Sequence, residues 1–171
     1  SKADKAQIQA VYGDKAHVSG DYMPMFGTAT GVEEGKTPNA ELQHLSSILE
    51  LNIASCMPTD VQITEVKVTA GEAIVGEFVF DFIKGTVTPV EGTSSNTATL
   101  TVKDPATLQN GESAKFYLIV KPFTAKAADG LTISVNGSEK QISLNEDLVF
   151  APGKMTSIDY TYYDVTQIQD S

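Results

Sequence analysis

The chain has no arginine, no tryptophan, one cysteine (Cys56) and two histidines, His17 and His44. Each scarcity closes off some chemistry. All 12 basic residues are lysines, so bidentate guanidinium clamps for phosphate or carboxylate are absent. Stacking of a sugar on an indole is excluded too, which leaves that task to tyrosine. One cysteine permits neither an internal disulfide nor a cysteine-built zinc site. Positive charge is also scarce: 12 Lys+Arg stand against 22 Asp+Glu, a net −10. That balance repels nucleic acid and anionic headgroups, so neither is expected as a partner. No apolar run approaches the ~20 residues of a membrane span, and no transmembrane segment is expected. The opening SKADKAQ does not read as a signal peptide, so the expectation is a cytosolic protein or the trimmed form of an exported one.

What is present suits a globular domain. A chain of 171 residues fits one domain, able to hide ~70% of its unfolded surface. A hydrophobic share of 41% predicts a packed core rather than disorder. Residues 1–40 are dense in turn formers: YGDKAHVSGDYMPMFGTATGVEEGKTPN holds five glycines and two prolines, which predicts loops and short extended pieces. MPMFG, around Pro24, would pin this arm onto the domain. From residue 61 the hydrophobic period is 2. Val66, Val68 and Ala70 alternate with Glu65, Lys67 and Thr69; Ile74, Gly76, Phe78, Phe80 and Phe82 share one face, with Val75, Glu77, Val79 and Asp81 on the other. The same holds for Ala98, Leu100 and Val102; for Ala114, Phe116, Leu118 and Val120; for Leu131, Ile133 and Val135; and for Thr156, Ile158, Tyr160 and Tyr162. Turn chemistry separates these runs, and Asn136-Gly137 reads as a tight hairpin. Seven or more short strands so spaced predict an all-β sandwich or barrel.

The stretch ELQHLSSILELNI, 41–53, is ambiguous by period. As a helix, five of its six large aliphatics share one face, and Thr37-Pro38 resembles a helix start. As a strand, Leu45, Ser47, Leu49, Leu51 and Ile53 face inward, His44, Ser46, Glu50 and Asn52 outward, and Ile48 is the misfit. Because every later segment is β, a strand over about 45–55 is favoured, preceded by one helical turn at 38–43. Ile48 then predicts partial cover on the strand's outer side.

Candidate chemistry is sparse. His44 and Cys56 could be imagined as base and nucleophile, but nothing orients them and a strand separates them. His17 and His44 lack a third metal ligand. NEDLVF (145–150) and DYTYYD (159–164) lack the alternating oxygen ligands of a calcium loop. NIASC (52–56) has the order of a lipoprotein cleavage site, yet it lies mid-chain behind Glu41, Glu50 and Asn52; Cys56 is read as a small buried or half-buried thiol. NGS (136–138) matches a glycosylation sequon but is accounted for by the hairpin. Tyr160, Tyr162 and Tyr163 could form a sugar-binding edge, but such a cluster is more often cross-strand packing on the last strand, and that is the reading favoured. No catalytic, cofactor-binding or metal-ligating residue is assigned; no cofactor is expected, and the chain is not expected to be an enzyme.

The order of segments MPMFG, LQHLSSILELNI, VQITEVKVTAGEAIVGEFVFDFIKG, KFYLIVKPFT, LTISVNG and FAPGKMTSIDYTY resembles the fimbrillin-like proteins of the Bacteroidota, over residues 22–163. These are stalk, tip and anchor subunits of type V pili and related surface adhesins. The resemblance implies a transthyretin-like or Ig-like antiparallel β-sandwich, export as a lipoprotein to the outer membrane or a fimbrium, and a structural role. It also implies partners joined by strand addition, either other fimbrial subunits or copies of the chain, after proteolysis removes an N-terminal strand, and, for an adhesin, host or bacterial surface ligands. Members usually have two domains where this length allows one, and their known processing is at arginine, which this chain lacks. The expectation is that the chain begins after any such cut or is not processed that way. The domain organisation expected is an irregular arm over 1–40, a β-sandwich over 41–164, and a tail or linker over 165–171. The function expected is that of a fimbrial subunit, anchor or adhesin; the alternative is a secreted or surface-tethered glycan-binding module.

Overall fold

A computed structural model of the chain describes residues 2–3, 6–11, 25–30, 39–44, 46–81, 83–84, 86–105 and 107–167; over the first four stretches, and at Phe80 and Gln167, it describes the backbone. Alternation along the sequence becomes two facing apolar surfaces. The main sheet contains β2 (Ala6–Val11), β7 (Glu65–Thr69), β10 (Thr97–Asp104), β14 (Leu131–Val135) and β15 (Ser138–Ile142), in the order β15-β14-β7-β10-β2. Its register lines up Ile133, Val68 and Ala98 in one row and Val135, Val66 and Leu100 in the next, all fully buried. The second sheet places β5 (Ser47–Ser55) between β12 (Ser113–Val120) and β17 (Met155–Tyr162). Its inward rows are Phe116–Leu51–Ile158 and Ala114–Ile53–Tyr160. Both sets belong to one buried cluster, so the two sheets form an all-β sandwich.

Shorter ladders extend this frame. The pair β6 (Val61–Gln62) and β11 (Thr107–Leu108) is one. A second joins β13 (Phe123–Ala125) to β16 (Leu148–Phe150), with Phe123 and Phe150 stacked at 4.7 Å between ring centroids. A ribbon contains β1 (Lys2–Ala3), β8 (Gly76–Asp81) and β9 (Thr86–Pro89), and β3 (Met25–Thr30) pairs with β4 (Asn39–His44). Most ladders are antiparallel, but β2 runs parallel to β10 and β17 parallel to β5. Among the described residues the only helical element is a 3-10 turn at Val165–Gln167, where a linker was expected.

The ambiguous stretch is strand at its described residues except Ser46, a bend between β4 and β5. The strand expected near 45–55 is β5, with Leu49, Leu51, Ile53 and Ser47 all fully buried. The helical turn expected at 38–43 is instead β4. A lone helical turn fixes several residues for one hydrogen bond, whereas this segment gains a six-pair ladder with MFGTAT. Ser46, expected outside, is fully buried; Leu45 lies outside the described residues. The partial cover expected over Ile48 is present: Ile48 is half-buried, and Glu50, Tyr117 and Ile119 on the same outer face are buried. Within residues 1–40, read as loops and short extended pieces, the extended pieces are β1, β2, β3 and the start of β4, and β2 completes the main sheet.

The Asn136-Gly137 turn does more than reverse the chain. Both residues have positive φ, 50° and 86°, the geometry of a type I′ hairpin. The Asn136 carboxamide Oδ1 accepts from the Thr64 backbone N–H (2.8 Å), the Thr64 hydroxyl (3.1 Å) and the Glu65 N–H (3.3 Å), while Nδ2 donates to the Gln62 carbonyl (2.7 Å). The hairpin tip is thus sewn to the β6–β7 junction. Asn136→Gly keeps a good turn former but loses all four bonds. It is expected to cost roughly 2 kcal/mol in chemical denaturation, against a few tenths for a change confined to the turn.

Candidate functional site at the sheet edges

A sandwich of this kind interacts through its faces or through the unpaired main chain of its edge strands. Among the described strands the edges are β15 and β2 in the main sheet, and β12 and β17 in the second. On one side of the sandwich, Asp164, just past β17, lies beside β15, whose Ser138 and Lys140 help lower its pKa. On the other side β12 runs close to both β10 and β2. There β2 fills the seam between the sheets and is the only described strand on that edge of β10. Its ladder pairs Ala6, Gln7, Ile8, Gln9 and Val11 with Thr99, Leu100, Thr101, Val102 and Asp104. Leu100 and Val102 are buried, Thr101 exposed.

The outer face of the second sheet is a series of cross-strand rows. Ile119, Ile48 and Met155 form an apolar one. Next comes Tyr117–Glu50–Ser157, in which the Ser157 hydroxyl donates to Glu50 Oε1 (2.8 Å) and the Tyr117 hydroxyl also bonds this carboxylate. Burial first, and the Glu50 carboxylate second, raise the Tyr117 pKa. Asn52 Nδ2 donates to Asp159 Oδ1 (3.2 Å) in the following row. Burial likewise raises Tyr160 and Tyr162, so these phenols stay neutral. Both point into the core, which leaves Tyr163, 40% exposed, as the lone accessible member of the trio. The cluster is the cross-strand packing weighed above, not a stacking edge.

The other sequence candidates do not converge. His17 lies outside the described residues, and of His44 only the backbone, at the end of β4, is described. Cys56 lies beyond the far end of β5. Cys56 is exposed, not buried or half-buried: inward Ser55 ends the alternation, and the Cys56 N–H donates to the Tyr162 carbonyl (2.9 Å). Among the described residues no three His, Cys, Asp or Glu side chains cluster as metal ligands. A dent of about 60 Å³ lies against Gly71, Glu72, Phe123, Lys126 and Asp129. It is far below the ~300 Å³ of a small-molecule site. Two of its three charged lining residues are paired, Glu72 with Lys121 and Lys126 with Asp147, both at 3.1 Å.

Asp147 ties the loop after β13 to the approach to β16. It accepts from the Ala127 N–H (2.8 Å) and from Lys126 Nζ, and these, the backbone bond first, lower its pKa. A folded-state pKa below the unfolded one contributes stability above the ordinary Asp value of ~3.9, lost as pH falls through the folded value. The stability gap between wild type and Asp147→Asn should therefore close as pH drops from about 6 to about 2.5. Urea melts across that range would show it; a gap that stays constant would refute the assignment. Asp164, capped by the Thr166 hydroxyl (2.7 Å) and N–H (2.9 Å), is lowered for the same reason and should behave alike.

No protein-family model and no curated protein matches the chain. Six chains of known structure do. A candidate cell adhesion protein of Bacteroides fragilis NCTC 9343 is 15% identical with a TM-score of 0.43, the match covering 74% of this chain and 44% of that one. A candidate cell adhesion protein of Bacteroides uniformis ATCC 8492 is 17% identical with a TM-score of 0.37, covering 71% and 48%. The present chain thus spans less than half the length of either protein.

Proposed function

We propose that this protein is a non-enzymatic structural component of a bacterial surface, a fimbrial subunit, anchor or adhesin, which joins its neighbours by strand exchange at the β10 edge. The observation that carries this reading is β2. A six-residue N-terminal strand completes the main sheet in parallel with β10 and sits in the seam against β12. Withdrawing β2 would bare the main-chain edge of β10 beside buried Leu100 and Val102, and an extended segment of a neighbour could occupy the same place. Exchange of this kind needs no cofactor and no titrating group. The segment resemblance described above points the same way, and implies export as a lipoprotein to the outer membrane. The glycan-binding alternative loses its main support with Tyr160 and Tyr162 facing the core.

Immunogold electron microscopy of cells that carry the native protein tests the proposal. Labelling along filaments or at their base on the cell surface is expected. Label confined to the cell interior would overturn it, as would a dispersed surface label from a protein that binds a glycan array.

A further inference from the structure

The hydrophobic pattern of β2 is out of phase with the sheet it completes. The buried row that runs Val135, Val66, Leu100 across three strands ends on Gln7 in the fourth. Beside buried Val102 stands Gln9. The row of Ser134, Lys67 and Thr99 ends on Ala6, and that of Glu65 and exposed Thr101 ends on Ile8. Polar residues thus occupy the register positions beside the core rows, and apolar residues the positions beside the polar rows. In a sheet with one buried face, register is set by this alternation, and a one-residue slip reverses every position. Cross-strand neighbours of like character are what stabilise a ladder beyond its main-chain bonds.

Building on the strand-exchange reading, we infer that β2 is a weakly matched occupant of the β10 edge. The preferred occupant is an extended segment of another polypeptide with β-branched or aliphatic residues two apart, at the register positions of Gln7 and Gln9, and polar residues at those of Ala6 and Ile8. Such a strand carries the Val135–Val66–Leu100 row one strand further and closes the seam against β12. The chain's own tail does not supply this period, since Val165 and Ile168 are three residues apart. Main-chain pairing holds β2 in place, and side-chain complementarity favours its replacement.

Two sets of measurements on the full chain test this. The first is stability. Gln7→Val/Gln9→Val should raise the thermal midpoint by roughly 5 °C, and Ile8→Thr should leave it within about 2 °C. The second is capture, by fluorescence anisotropy, of labelled peptides copying residues 4–13. The peptide with Gln7→Val, Ile8→Thr and Gln9→Val should bind at least about tenfold tighter than the native-sequence peptide. The Gln7→Val/Gln9→Val chain should capture it more weakly than wild type, because its own β2 then competes. Equal capture of the two peptides, or an Ile8→Thr chain as damaged as a core truncation, overturns the out-of-phase register and leaves strand exchange standing. A stabilised Gln7→Val/Gln9→Val chain with no capture of either peptide by wild type overturns exchange at this edge.

Discussion

Leu51→Ala should lower the unfolding free energy by roughly 3–5 kcal/mol, the upper range for removing a buried leucine side chain. Leu51 is fully buried at the middle of β5, with Phe116 opposite it on β12 and Ile158 on β17. Because β5 is hydrogen-bonded on both sides, neither neighbour can move in to fill the space without breaking a ladder. The facing sheet is equally fixed: Val66, Val68 and Leu100 are fully buried in their own rows. The site collapses poorly, and poor collapse is what separates costly truncations from mild ones. Ile48→Ala, on the half-buried outer face of the same strand, is the control and should cost about 1–2 kcal/mol. Urea denaturation of the three proteins decides the point. A Leu51→Ala cost no larger than that of Ile48→Ala would mean that the two sheets do not share a tightly packed core.

Gly76→Ala should be nearly as damaging, through the backbone. Gly76 has φ of +109°, and a Cβ there would stand 2.4 Å from the Thr93 carbonyl oxygen and 2.6 Å from Ser94 Cα. Both are main-chain atoms, so the 93–95 turn itself must shift. That turn carries the bridge between Val75 and Ser95, with N–H···O bonds of 3.1 and 3.0 Å. Strain of ~1–3 kcal/mol plus weakening of those bonds gives an expected loss of about 3–4 kcal/mol. Gly92 and Gly111 also have positive φ, 81° and 86°, but a Cβ at either meets open space. Alanine at those two positions should cost only ~1 kcal/mol. Hydrogen exchange separates a local from a global effect: faster exchange at Val75, Glu77 and Ser95, with β5 still protected, is the expected pattern. Gly76→Ala behaving like Gly92→Ala would contradict the close approach of this turn to β8.

Much of this architecture is legible in period 2. Ala98, Leu100 and Val102 announce an inward row on β10, and Ile158, Tyr160 and Tyr162 do so on β17, because one face of each strand packs and the other stays wet. The outer face of β5 is less legible. Glu50, Tyr117 and Ile119 are buried opposite an already buried inner face, and alternation describes only strands with one face covered. The Asn136 hairpin was visible in two letters, yet its bonds to Gln62, Thr64 and Glu65 join residues more than 70 positions apart. The burial of Tyr160 and Tyr162, which weakens the glycan reading, follows from their phase on β17.

By itself the sequence determined the β class, the longer strands from residue 61 onward (β7, β8, β10, β12, β14 and β17, but not the short β9, β11 and β13), the inward residues of β5 past Ser46, and the absence of arginine and disulfide chemistry. These are properties of composition and of neighbours one and two residues away, which the pleat converts directly into faces. Only the tertiary structure decided which strand lies beside which: β17 parallel to β5 from 107 positions away, and β2 parallel to β10 in the seam. Pairing partners are chosen by long-range packing, to which periodicity within a single strand is blind. The mismatch of Gln7 and Gln9 with Leu100 and Val102 emerges only once that pairing is set, because a polar residue is out of place only relative to its neighbour.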